Sequence, residues 1–508
     1  MNGTPVAGAA TALSGRIGSG PARLLHDEVL APQFRYESAH LLGWYALIEK
    51  ILLCEYRRLG LVSAEDARSI AKLLSGLAEG VLEPDPDGNM SDPAFAIERH
   101  VEENLPGPVP AWHVDRSRND LQATAQLMAA RGWAAEAAGR LLDTARAAVG
   151  TAARLTDLPM PGYTQMQAAQ VMSPGFHLAA LADQLLASVE RLLGTYDHVD
   201  RCPLGAGAMT GQELDFDRER MARLGGFAAP QPHALVSVAS RSWALLLASD
   251  ISVLGVTLSR FATDLMAWGG GDQGWLVLPD ELSGISSAMP QKRNYPVLER
   301  IRGRTAHLSS AYLDVALAQR STPFTNMVEV SKESTAGLLG MFGTLGSVLR
   351  LLDAVLSGLS IDAERARAAC AGEFLGGFTL ANHLTLHEGV PWRRAQVLAG
   401  RCVTAALERG LAPPDVGPGL LAEVAAAEGV TLADPAAALA KAFGGNGLSV
   451  KVTPGSTAPA AVSELLSELT RREALLRGAW RARSATVSAA VDRVDALLGV
   501  RRAAGGPA

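Results

Sequence analysis

Residues 283–303 read SGISSAMPQKRNYPVLERIRG: adjacent serines, Ser286 and Ser287, precede Lys292, Arg293 and Asn294 in a loop led by Gly284. A serine hydroxyl is a weak base and nucleophile at neutral pH, and it becomes useful when cations or backbone N–H groups stabilise its alkoxide. Lys292 and a glycine-led loop supply both. The same residue types also fit a flexible linker with a solvated charge pair, and type alone does not separate the two readings. Two more stretches are richer in polar groups than their surroundings. In HVDRSRNDLQAT, residues 113–124, Ser117, Arg118 and Asn119 offer a hydroxyl, a guanidinium fork and an amide in succession, which suits bidentate recognition of a carboxylate. They equally suit an ordinary helix N-cap with solvated arginines. In GYTQMQAAQ, residues 162–170, Thr164 and Gln165 are polar contacts for a ligand or no more than a turn. A metal reading rests only on HLTLH, where His383 and His387 stand four apart; two histidines without an acid-rich neighbour are too few for a site, so no metal is expected.

The elements that must position these residues are helices. The chain is 48% hydrophobic but only 5% aromatic, so its apolar content is mainly Ala, Leu and Val, as in closely packed helices. From about 113 to 358 the apolar periodicity predicts five long helices, at 120–156, 174–199, 234–268, 296–320 and 332–358, separated by Gly/Pro-rich loops. Each polar stretch falls at an end of one of these helices or in a loop before one. The third is apolar nearly all round, and such a helix is normally buried in the middle of something; burial against sister subunits is the expectation. Before the bundle, residues 1–112 read as an N-terminal arm and a small helical domain, with Ser63 as an N-cap and Gly60 and Gly80 as stops. The bundle domain as a whole spans 113–365, and after it residues 366–508 read as a C-terminal domain of shorter helices with a fraying RRAAGGPA tail. Residues 1–25 lack a charged segment followed by an uninterrupted apolar run, so a disordered lead is expected there. The segment SWALLLASDISVLGVTLSRFATDLMAW carries Asp250, Arg260 and Asp264 and reads as a buried helix, not a membrane span. A net charge of −6 with no basic stripe argues against a nucleic-acid partner. Four isolated cysteines, Cys54, Cys202, Cys370 and Cys402, suit buried thiols in a reducing, cytoplasmic setting.

GISSAMPQKRN resembles the GSSxMPxKxN loop of the fumarase/aspartase superfamily. RSRNDLQAT, GYTQMQAAQ, PLGAGAMTGQELDFDRERMARLGGF and GVPWRRAQVLAG, in that order, resemble its argininosuccinate lyase branch, and the likeness runs from about Ser14 to Val462. The resemblance implies an all-α, three-domain subunit. Its central five-helix bundle would assemble into the twenty-helix core of a homotetramer with active sites built from three subunits. It implies elimination of a group from a small succinyl dicarboxylate, releasing fumarate, without metal or organic cofactor. Carried over position by position, Ser286 matches the base that takes the Cβ proton. Lys292 and Asn294 match the groups holding the substrate carboxylate and the aci-carboxylate intermediate. Ser117, Arg118, Asn119 and Thr164 match substrate-binding positions, and Lys332 and Glu333 survive from the segment that recognises the amine. The loop is expected to close over substrate and exclude water.

The departures cluster on the nitrogen side. Thr164-Gln165 stands where the lyases have Thr-His, and a glutamine cannot act as a general acid. His113 and His177 are the remaining candidates for that role. HALVSVASRS at 233–242 keeps only Arg241 of a polar lyase stretch, Ile285 replaces a glycine, Tyr295 replaces a proline, and TPFTNMVEVSKES replaces the arginine-recognising segment. The expectation is a retained fumarate half and a changed amine half. Argininosuccinate lyase proper and a non-catalytic, crystallin-like tetramer are the alternatives.

Overall fold

The computed structural model describes residues 19–77, 80–445 and 447–501. Residues 1–18 of the lead expected to be disordered, and all of the expected frayed tail but Arg501, lie outside them. Residues Arg23–Leu25, placed in that lead by sequence, are already helical. The chain then builds α1 (Ala31–His40), α2 (Leu42–Arg58), α3 (Ala64–Ser75) and α4 (Pro93–Asn104). Ser63 caps α3, accepting from the Asp66 N–H, and Gly60 follows α2 at φ +71°, whereas α3 stops at Gly76, short of Gly80.

Next comes α5 (Arg118–Ala153), 36 residues rich in alanine, with Ser117 as its cap. A hairpin of β1 (Met160–Thr164) and β2 (Gln167–Met172) leads into α6 (Pro174–Val199), which starts with a proline that needs no N–H partner. Helix α7 (Ser242–Trp268), the small hairpin β3 (Gly284–Ile285) and β4 (Arg293–Asn294), α8 (Pro296–Gln319) and α9 (Leu338–Gly358) complete the bundle. Gly255 lets α7 and α8 approach closely: a Cβ there would lie 3.1 Å from the Thr305 carbonyl and 3.2 Å from the Leu308 Cβ.

The single helix expected over 234–268 is broken. A short helix ends at Ala239, and α7 begins at Ser242. The cause is tertiary: the buried Arg241 guanidinium takes the carbonyls of Val238 and Ser240, and Ser240 Oγ caps the Ser242 N–H. The helix expected from 332 likewise opens as a π-turn, Glu329–Glu333, and pauses at Gly337 before α9. Two helical runs, Ser242–Trp268 and Glu329–Gly358, are long and apolar enough to cross a membrane, and about half of each apolar window is buried inside the subunit. On α7, Val253 and Val256 remain exposed, as do Leu313 and Leu317 on α8.

After the bundle, α10 (Ala363–Gly372) precedes α11 (Gly377–Leu386), α12 (Trp392–Glu408), α13 (Pro418–Ala427) and α14 (Pro435–Phe443). The last four surround a small core of their own, including Leu380, Leu398, Cys402, Leu421 and Leu439. The expectation of only shorter helices past 358 fails at α15 (Pro459–Leu498), which at 40 residues is longer than α5. Its apolar face, with Val462, Leu469, Trp480 and Val494, joins the one large core that also runs through α2, α3 and the bundle. A buried Lys50–Asp495 ion pair at 2.8 Å ties α15 to α2. All four cysteines are free thiols.

Candidate active site

The residues singled out by sequence fall into two groups at opposite ends of α5, which at 1.5 Å per residue is about 54 Å long. At its N-terminus, Ser117 Oγ accepts from the Asn119 N–H at 3.2 Å. Arg118 donates to Asp92 at 2.7 Å and lies over the Phe95 ring, and Asn119 donates to the Ala208 carbonyl at 3.0 Å. Beneath them Asp120 is buried, receiving the N–H groups of Gly205 and Gly207 at 3.0 Å each. Burial pushes its carboxyl up to about 7, against the pull of those N–H donors.

Lys332 belongs to the same end. It projects from the π-turn onto Glu37 of α1, whose carboxylate also takes the hydroxyl of Tyr45 at 3.0 Å and the amide of Gln33. The turn itself is held by Gln126 of α5, which donates to the Ser331 carbonyl at 2.6 Å and accepts from Arg241 at 3.0 Å. Arg241 is 1% exposed, and one of its terminal nitrogens has no hydrogen-bond partner among the described residues. Desolvation brings its pKa down to about 10. Beside this network lies a cavity of about 340 Å³ with aromatic walls from Tyr36, Trp133 and Trp243.

At the other end of the bundle are two hairpins. Gln165 and Met166 form the two-residue turn between β1 and β2, both at positive φ (+54° and +61°), as a type I′ hairpin turn requires. Thr164 and Gln165 are exposed there. In the second hairpin, β3 and β4 pair Gly284 with Asn294 and Ile285 with Arg293, which puts residues 286–292 in the tip. Ser286 is half-buried and its Oγ accepts the Met289 N–H at 3.1 Å; the Met289 carbonyl in turn accepts the Lys292 N–H. The Lys292 side chain is exposed and has no ion-pair partner among the described residues. Ile285, 94% exposed, leaves the fold at the glycine position of the family loop. Arg293 anchors the base through Asp280 (3.0 Å), Ser283 Oγ (3.1 Å) and the Leu278 carbonyl. Tyr295 does the same by packing its ring on Gly269, where a Cβ would meet it at 2.8 Å.

One subunit therefore joins Ser117, Arg118, Asn119 and Lys332, and separately gathers the two hairpins carrying Thr164, Gln165, Ser286, Lys292 and Asn294. It does not join the groups. The candidate replacement acids both have carboxylate partners: His113 lies 3.0 Å from Glu49, and His177 lies 3.3 Å from Asp264 between Phe261 and Trp268. Among the described residues no cluster of three or more metal-ligating side chains includes His383 or His387. Sequence reading missed Glu37, Asp92, Gln126 and Tyr45. Of these, only Asp92 carried a local signal, as the Asp-Pro cap of α4.

Comparison with known proteins agrees with this architecture. A family model described as "Lyase" matches residues 90–308. Argininosuccinate lyase from Methanothermobacter thermautotrophicus is 32% identical over 366 residues, covering 72% of this chain and 78% of that protein. Among solved structures, EDDS lyase in complex with formate superposes with a TM-score of 0.80 over 97% of each chain at 22% identity, and a variant of that enzyme with bound fumarate does so equally. Class II fumarase from Schistosoma mansoni reaches 0.64 at 17% identity over 81% of this chain and 92% of its own. At those identities the structures speak for the fold alone, and the archaeal relative speaks for the family. This chain belongs to the argininosuccinate lyase branch of the fumarase/aspartase superfamily and is a fumarate-releasing lyase.

Proposed function

We propose that this lyase cleaves an N-substituted succinyl substrate whose nitrogen half is not the arginine of argininosuccinate. The observation that carries this is Gln165. It occupies the exposed tip of the β1–β2 hairpin, where the branch supplies a histidine, and its amide has no proton to give. A nitrogen of low basicity, in a stabilised amine or a nitro group, departs without such an acid. The aromatic walls beside Lys332 and Glu37 support an amine half less polar than arginine.

In the elimination, the Ser286 hydroxyl first gives its proton to solvent; the resulting alkoxide, supported by the N–H that Met289 already donates to it, takes the Cβ proton and returns to the neutral hydroxyl. The electron pair left on Cβ becomes the double bond of fumarate as the Cα–N bond breaks. Lys292 and Asn294 hold the carboxylate into which negative charge spreads before that bond breaks. Ser117, Arg118, Asn119 and Thr164 hold the remainder of the succinyl unit, and Gln165 faces the departing nitrogen. Because one subunit keeps these groups at opposite ends of a long helix, the complete site takes residues from several copies in a homotetramer. Exposed Val253, Val256, Leu313 and Leu317 provide apolar surface for that assembly.

The test is to incubate purified protein with a panel of N-succinyl compounds, nitrosuccinate and argininosuccinate, following fumarate by ultraviolet absorbance. Turnover of a panel member other than argininosuccinate is expected. Failure across the panel, with Ser286→Ala indistinguishable from wild type, would overturn the proposal. The relative at 32% identity favours a second reading, argininosuccinate lyase proper. Cleavage of argininosuccinate that rises sharply in Gln165→His would establish it.

A further inference from the structure

A cavity of about 370 Å³ lies away from both groups of site residues, between the base of the β1–β2 hairpin, α10 and the small C-terminal core. That volume is in the range of small-molecule sites. Its rim carries two cations, Arg367 and Lys451, and two carboxylates, Asp157 and Glu373. None of the four takes a hydrogen-bond or ion-pair partner among the described residues. Lys451 is instead held over the Phe378 ring at 5.0 Å, and Phe378 and Phe443 give the cavity an aromatic wall. Separate unpaired charges of both signs around an apolar wall match a ligand with an ammonium, a carboxylate and an apolar group on one carbon.

The cavity is mechanically joined to the hairpin. Gln170 and Val171 of β2 line it, and Gly447, at φ +68°, presses so closely on Val171 that a Cβ would lie 2.7 Å from its Cγ2. Glu373 is also near enough to Tyr163, one residue before Thr164, to add to the burial that raises that hydroxyl's pKa. Gln170 is five residues from Gln165 along the strand, about 16 Å at 3.3 Å per residue, so the cavity is distinct from the hairpin tip.

We propose that this cavity is a second ligand site, which binds the zwitterion of an α-amino acid with an apolar or aromatic side chain and, when occupied, steadies the β1–β2 hairpin. The proposal is independent of which nitrogen the enzyme eliminates. It is tested on the full-length protein by calorimetric titration with L-phenylalanine and L-leucine, alongside phenethylamine and 3-phenylpropanoate, which each lack one charge. Saturable binding of an amino acid is expected, at least about tenfold tighter than either analogue, a difference of about 1.4 kcal/mol. Arg367→Ala and Glu373→Gln, both on the exposed rim, should each weaken it by about the same factor. Hydrogen exchange over residues 160–172 should slow when the amino acid is bound. Absence of saturable binding by either amino acid, equal binding of the analogues, or unchanged affinity in both variants would overturn the site. Binding with unchanged exchange over the hairpin would overturn the coupling.

Discussion

At the N-terminal end of α5 the guanidinium of Arg118 rests on Asp92, the amide of Asn119 on the Ala208 carbonyl and the ammonium of Lys332 on Glu37. At the other end of the bundle, Thr164, Gln165 and Lys292 stand on hairpins with no such partners among the described residues. The contrast separates two tasks. Groups already engaged within the subunit are held in place before any ligand arrives, and in the function proposed above a substrate carboxylate must compete with Asp92 or Glu37 to reach them. Such competition selects among ligands by the cost of exchanging one partner for another. Groups on a free hairpin tip have no partner to give up and can move onto a bound substrate, which suits the step where charge develops.

The largest effect expected from breaking this contrast comes at the free tip. Ser286→Ala should lower fumarate release by about 10³-fold, within the range for loss of a positioned base, while the thermal unfolding midpoint stays unchanged because the side chain is half-buried with one local bond. At the engaged end the cost should fall on stability instead. Glu37→Ala leaves Lys332 and Tyr45 without their acceptor; removing one partner of a buried pair costs about 3–5 kcal/mol, and Lys332, being about one-fifth exposed, should place the loss at the lower end, read by urea unfolding.

A third prediction concerns Asp120. Its folded-state pKa, about 7, lies above the ordinary carboxylate value, so the folded protein holds this proton over a range where the unfolded chain has lost it. Stability from this group is therefore fully present below about pH 4 and declines as pH rises towards 7, by at most about 4 kcal/mol. Asp120→Asn, neutral at every pH, should flatten that slope, measured as unfolding free energy between pH 4 and 7. The smallest effect is expected for Arg293→Ala at the base of the loop hairpin. Its ion pair with the exposed Asp280 is worth under about 1 kcal/mol of stability. A several-fold fall in kcat with an unchanged unfolding midpoint would show that the base positions the tip.

The bundle was legible because its helices carry their pattern locally: apolar periodicity between Gly/Pro-rich loops gives 174–199 as found and 296–320, which ends one residue earlier, at Gln319. The loop around Ser286 was legible as chemistry only through its likeness to a known family, since a serine pair and a lysine fit a linker equally well. What stayed hidden depends on partners distant in sequence. The break at Ser240–Arg241 exists because a guanidinium captures two carbonyls while bonded to Gln126, more than a hundred residues earlier. Lys332 reads as a free cation until α1 is folded against it, bringing Glu37 from 295 residues away. The length of α15 was obscured by its polar character; its buried positions are widely spaced because it lies across several helices of the large core.

The pairing of Lys50 with Asp495 has a consequence for how the chain is made. The two residues are 445 positions apart, so at roughly 5–20 residues per second the ribosome emits Lys50 about 20–90 s before its counter-ion exists. Throughout that interval the apolar faces of α2 and α3 lack the helix that will cover them. The first helices to emerge are thus among the last to be sealed, and a chain cut short before α15 forfeits its beginning as well as its end.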